Sequence, residues 1–98
     1  MRKAVAHRFG DHVAVAVADL RPGEGVEVAF LDGSPPVRLE AREAVPLGHK
    51  IALTDVAEGE VVREYGEPIG RATRPIPVGA HVHTHNLRSL RWDFGGRR

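Results

Sequence analysis

Short apolar segments separated by turn-forming residues run along the whole chain. Val13-Ala-Val-Ala-Val17, Val26-Glu-Val28, Val61-Val62 and Val82 are brief and β-branched, which is strand chemistry. Between them one pattern recurs: apolar, two residues, glycine, two residues, apolar. It reads Leu20-Arg-Pro-Gly23-Glu-Gly-Val26, Val45-Pro-Leu-Gly48-His-Lys-Ile51, Val56-Ala-Glu-Gly59-Glu-Val-Val62 and Ile76-Pro-Val-Gly79-Ala-His-Val82. Each glycine falls where a type I or II turn tolerates or requires positive φ, and a proline at a turn-favouring position precedes it in three copies. The copies are too irregular to argue for a solenoid. Leu31-Asp-Gly33-Ser-Pro-Pro36 adds Asp-Gly chemistry and predicts a hairpin loop. Only Arg38–Ala44 predicts helix, one or two turns of it, with Pro46 as the stop. The expected fold is all-β: a small, irregular β-barrel or clip of short strands and hairpins.

Composition narrows this further. A chain of 98 residues makes one small domain, which buries roughly two-thirds of its unfolded surface. With 42% hydrophobic but 5% aromatic residues, the core must come from Val, Leu, Ile and Ala. Eleven glycines and seven prolines leave little room for long helices. No apolar run approaches the ~18 residues of a membrane span. The opening Met-Arg-Lys-Ala-Val-Ala-His lacks the roughly 7–15-residue apolar stretch of a secretory signal. The absence of cysteine excludes disulfides, thiolate metal sites and cysteine nucleophiles. The expectation is a cytoplasmic protein with no membrane partner. A net charge of +1 argues against a nucleic-acid partner. Arg88, Arg91, Arg97 and Arg98 nevertheless crowd the C-terminus against Asp93. Residues 1–88 therefore read as the domain and 89–98 as an Arg-rich tail. That tail is either a solvated end or a docking arm with Trp92 and Phe94 as apolar anchors.

Residues 81–86 read His-Val-His-Thr-His-Asn and hold three of the six histidines. On an extended strand His81, His83 and His85 would form one row of imidazoles. Imidazole can ligate a metal, exchange protons near neutral pH or hydrogen-bond an anion. Neighbours in such a row lie roughly 6.5–7 Å apart and can converge on one ion, while the outer pair, about 13 Å apart, cannot unless the strand bends. Spacing thus favours a pair such as His83 and His85, completed by His49 or by a carboxylate from a partner chain. Lys50, one of two lysines beside twelve arginines, is a compact cation suited to a carboxylate. Phosphate loops, His-Glu-x-x-His helices and nucleophile elbows are all missing.

Several stretches together resemble the N-terminal module of the altronate/galactarate dehydratase family. They are Asp11 to Gly23, Gly48-His-Lys-Ile-Ala-Leu53, Gly59-Glu, Tyr65-Gly-Glu-Pro-Ile-Gly70 and Val82-His-Thr-His-Asn86. The resemblance implies an SAF-like β-clip, in agreement with the turns and strands. It implies a lyase that removes water from hexonate sugar acids, or sulfite from sulfolactate in a related branch. It also implies a small subunit paired with a large one, and a divalent metal, iron or manganese, that the large subunit could itself hold. One departure is His12, where the family usually has Asn; a substrate hydrogen bond at that position would change.

On this basis the expected catalytic residues are His81, His83 and His85, with His83 and His85 also the expected metal pair. His49, Lys50, Tyr65 and Asn86 are the expected substrate contacts. Each has a plainer reading. His49 and Lys50 follow a turn, Tyr65 can pack over one, and Asn86 can end a strand. His7 and His12 read as structural or exposed. The competing functions are a stand-alone module that binds a sugar acid without chemistry, and an assembly domain with incidental histidines.

Overall fold

A computed structural model describes residues 2–89. Among the described residues there are nine strands and no helix. These are β1 (Arg2–Ala6), β2 (Val13–Ala16), β3 (Gly25–Phe30), β4 (Val37–Glu40), β5 (Lys50–Ala52), β6 (Val61–Glu64), β7 (Glu67–Ala72), β8 (His81–Val82) and β9 (Leu87–Ser89). Six of them form a sheet in the order β4-β3-β1-β2-β5-β8, and three form a second, β6-β7-β9. All pairings are antiparallel except β1 with β3. The all-β expectation holds. Tail residues 90–98 lie outside the described part, while Ser89 closes β9.

The helix expected at Arg38–Ala44 does not form. Val37 and Leu39 turn toward the core while Arg38 and Glu40 face solvent, a two-residue period that builds β4 against β3. Tertiary pairing outweighs the modest helical propensity of this stretch.

The four glycine turns are one device used four times. Gly23, Gly48, Gly59 and Gly79 have φ of 83°, 86°, 85° and 87°. Each glycine N–H donates to an alanine carbonyl: Gly23 to Ala41, Gly48 to Ala16, Gly59 to Ala72 and Gly79 to Ala52. Each of those alanines donates its own N–H to the residue following the glycine. The turns work in pairs, joined by isolated bridges between Leu20 and Val45 and between Val56 and Ile76. Asp19 accepts from Leu47 N–H and Asp55 from Val78 N–H, in equivalent places. Glu24 and Glu60 likewise cap the N–H groups of Arg21 and Ala57. The chain therefore uses one arrangement of paired turns twice, first from β2 to β5 and then from β5 to β8.

Each half has its own core. One is built from residues such as Val26, Val28, Val45 and Ile51, the other from Val56, Val62, Ile76 and Val82. Strands β2 and β5 serve both. On β2, Ala14 and Ala16 face the first core and Val13 the second; on β5, Ile51 faces the first and Ala52 the second. Alanines at these shared positions let the two cores approach closely.

A histidine cluster at the end of β5 and β8

The second glycine turn delivers His49 to the start of β5. Antiparallel pairing sets Ile51 against His81 and Lys50 against Val82. One further step of that register brings His49 opposite His83. Their ring centroids lie 4.5 Å apart. The His49 and His81 rings are 5.1 Å apart, with His49 Nδ1 and His81 Nε2 separated by 2.9 Å. His81 and His83 stack at 5.5 Å.

The extended row over 81–85 is corrected by the structure. β8 ends at Val82, and the chain folds back through a turn over 83–86. Asn86 and Leu87 both donate their N–H to His83 O, at 3.1 and 2.9 Å. This bend carries the His85 ring to 5.4 Å from that of His81, where an ideal strand would hold the two residues about 13 Å apart. Four imidazoles thus gather where the sequence pattern suggested three in line.

Asn86 holds the bend together. It is 4% exposed. Its Oδ1 accepts the His83 N–H at 2.9 Å, and its Nδ2 donates to His81 O at 2.8 Å. Both ends of the carboxamide are engaged within the turn, so Asn86 is a positioning residue for the histidines.

Burial, followed by the facing His49, His85 and His83, holds the His81 imidazole below its ordinary pKa, while Glu43 acts in the opposite direction. Glu43 also accepts the His81 backbone N–H at 3.0 Å. His81 therefore favours its neutral form at neutral pH, with Nε2 engaged by His49 Nδ1. One nitrogen from each of His49, His81 and His83 lies within 4.8 Å of the others. Three imidazole nitrogens of that spacing fit a borderline divalent cation. His83 belongs to this set, and His85 stands just outside it.

The remaining candidates are placed elsewhere. Lys50 leaves the strand on the face opposite His49 and pairs with Glu64 at 3.8 Å. Tyr65 occupies the β6–β7 turn, 56% exposed, with the His7 ring at 4.5 Å and the Arg8 guanidinium over its face at 4.9 Å. His12 is structural: its Nδ1 accepts the Arg63 N–H at 2.8 Å, and its N–H returns to Arg63 O. An Asn in its place could make the same exchange, which accounts for this departure without a substrate. Sequence reasoning passed over Asp11, whose buried carboxylate takes the N–H groups of Arg8, Tyr65 and Gly66. Its signal was the glycine before it, marking a turn that an Asx side chain can close. An open hollow of about 500 Å³ between Phe9, Phe30, Leu39, Leu53 and Val78 contains none of the clustered imidazoles.

The fold and the cluster define a small β module that presents imidazoles from paired strand ends. The chain belongs to the altronate/galactarate dehydratase SAF domain family, which matches residues 2–90. It is 37% identical to the (2R)-sulfolactate sulfo-lyase subunit alpha of Chromohalobacter salexigens, over 90% of this chain and 95% of that one. It is 49% identical to the altronate dehydratase of Escherichia coli, over 81% of this chain but 15% of the relative. The galactarate dehydratase (L-threo-forming) of the same organism is 45% identical over 74% of this chain and 12% of its own. The chain thus spans nearly all of a lyase subunit and a small part of each dehydratase. No helix among the described residues is long and apolar enough to cross a membrane.

Proposed function

We propose that this chain is the small subunit of a sugar-acid dehydratase of the altronate/galactarate type, or of a related carbon–oxygen or carbon–sulfur lyase. In this reading its histidines enter a site shared with a large chain. The observation that carries the proposal is the near end-to-end match to a lyase subunit, together with an imidazole cluster half open to solvent. Such a cluster has work left to do once a partner covers it.

The reaction removes the proton beside a carboxylate while a C–O bond, or a C–S bond in the sulfite branch, breaks at the neighbouring carbon. The C–H electron pair becomes the new double bond, and the departing hydroxide takes up a proton to leave as water. Imidazoles near neutrality suit both proton movements. His81, held toward its neutral form, offers a nitrogen lone pair at the centre of the cluster. His83 and His85 are both exposed and open to a substrate held by the large chain. His49 offers a hydrogen bond at the same place. Lys50, paired with Glu64 on the other face of β5, and Tyr65, packed with His7 and Arg8, have no part in this reading.

The test is reconstitution with the large chain of the same source. Turnover of altronate, galactarate or sulfolactate should require both chains. His83→Ala and His85→Ala should each lower kcat by about 10²–10⁴-fold while co-purification is unchanged. Both residues are exposed, so folding should survive. Full turnover by the double variant would remove the histidines from the mechanism.

A further inference from the structure

We propose that His49, His81 and His83 form a transition-metal site that this chain holds by itself, taking one borderline divalent cation through three imidazole nitrogens. The geometry carries this. Two nitrogens bound to one ion at about 2.1 Å stand roughly 3.0 Å apart across a right angle and roughly 3.4 Å apart in a tetrahedron. The His49 Nδ1 to His81 Nε2 separation of 2.9 Å is already that edge. A nitrogen of His83 lies within 4.8 Å of both, and that side chain is exposed and free to swing inward.

The supporting shell is built as well. Asn86 ties the backbone on both sides of the bend, through His83 N–H and His81 O, so two of the three ligands are set by one buried side chain. Strand pairing between β5 and β8 sets the third. In the metal-free protein His49 Nδ1 and His81 Nε2 share one proton in a hydrogen bond, and loss of that proton to solvent leaves both nitrogens directed at one point, as a metal site requires.

The donor set also selects the ion. Three imidazoles with no thiolate and no carboxylate suit zinc, iron(II), cobalt(II) or nickel(II), and fit poorly to magnesium or calcium. Three protein ligands leave open positions for water or substrate. An ion bound there would act as a Lewis acid on an oxygen of the substrate. His85, outside the set, stays available for proton transfer. The site rests on the same histidines as the lyase reading but not on the chemistry proposed for them.

The experiment uses the full chain, purified without a histidine tag and stripped with a chelator. Cobalt(II) titration, followed by its visible ligand-field bands and by calorimetry, should give one equivalent bound. A hundredfold excess of magnesium should not compete. His49→Ala and His81→Ala should each abolish that binding, with folding checked by far-ultraviolet circular dichroism. Asn86→Ala should weaken it about 10–100-fold. His7→Ala, which removes a histidine outside the cluster, should leave it intact. An absence of binding, or equal loss with His7→Ala, would overturn the site. Cobalt binding with no turnover in the assembled enzyme would sink the lyase reading alone. Full turnover by metal-free His49→Ala enzyme would sink a catalytic role for the site alone.

Discussion

At the scale of single residues, His81 and Asn86 control the cluster in different ways. The burial of His81 and its imidazole neighbours hold its pKa below the ordinary value. The unfolded chain therefore takes up this proton more readily than the folded one. By linkage, the contribution of His81 to stability is present above about pH 6.5 and is lost as the pH falls below it. In metal-free protein, a histidine-resolved NMR titration should show His81 protonating below the ordinary imidazole value of about 6.5. The denaturant midpoint should fall between pH 7.5 and 5.5, and His81→Gln should flatten that fall. A His81 titration at the ordinary value would refute the account. Asn86→Ala, in contrast, leaves a buried N–H and a carbonyl without partners and should cost about 1–3 kcal/mol at any pH. Asn86→Asp retains the acceptor for His83 and loses the donor to His81 O, so it should cost less. Denaturant titration of the two variants checks the order.

At the scale of elements, the repeated turn explains what could be read from sequence and what could not. Gly23, Gly48, Gly59 and Gly79 were legible because positive φ is a local demand that glycine meets without strain. Their pairing was not, because it depends on alanine carbonyls far along the chain, and alanine carries no turn signal. The strand at Val37–Glu40 was misread as helix because four residues of alternation are too short to stand out without the β3 partner. The histidine bend was hidden for a related reason. Alternate histidines read as strand until Asn86 is known to close a turn upon them. The same histidines were nonetheless found, since their residue type marks them wherever the backbone goes. The four turns also differ in what surrounds them. A Cβ at Gly48 would meet open space, while one at Gly79 would sit 2.1 Å from Glu40 O. Gly48→Ala should therefore cost only the positive-φ strain, about 1 kcal/mol. Gly79→Ala must also shift the β4 backbone and should cost at least twice as much. Equal thermal shifts in the two variants would show that the contact with Glu40 is slack.

At the scale of the whole molecule, the repeated arrangement produces two cores that share the strands β2 and β5. Val13 and Ala52 face one core while Ala14, Ala16 and Ile51 face the other, and these residues alternate along only two strands. Neither core can open without moving a strand that the other uses. The cross-links reinforce this coupling, since His12 joins β2 to β6 and Asp11 joins the start of β2 to the β6–β7 turn. The molecule should thus unfold in one step despite its two cores. Ile51 and Ile76 are both 1% exposed or less, one in each core. Ile51→Ala and Ile76→Ala should each cost about 2–5 kcal/mol, and each should lower protection in both halves alike. Native-state hydrogen exchange on the β3 and β6 amides tests this directly. If Ile76→Ala accelerated exchange in β6 while β3 stayed protected, the halves would be separate folding units. His49 and His81 would then lie on a seam able to open alone. Joint loss of protection would instead mean that the strands presenting the imidazoles are held by both cores, which is the rigidity that a site assembled from two strand ends requires.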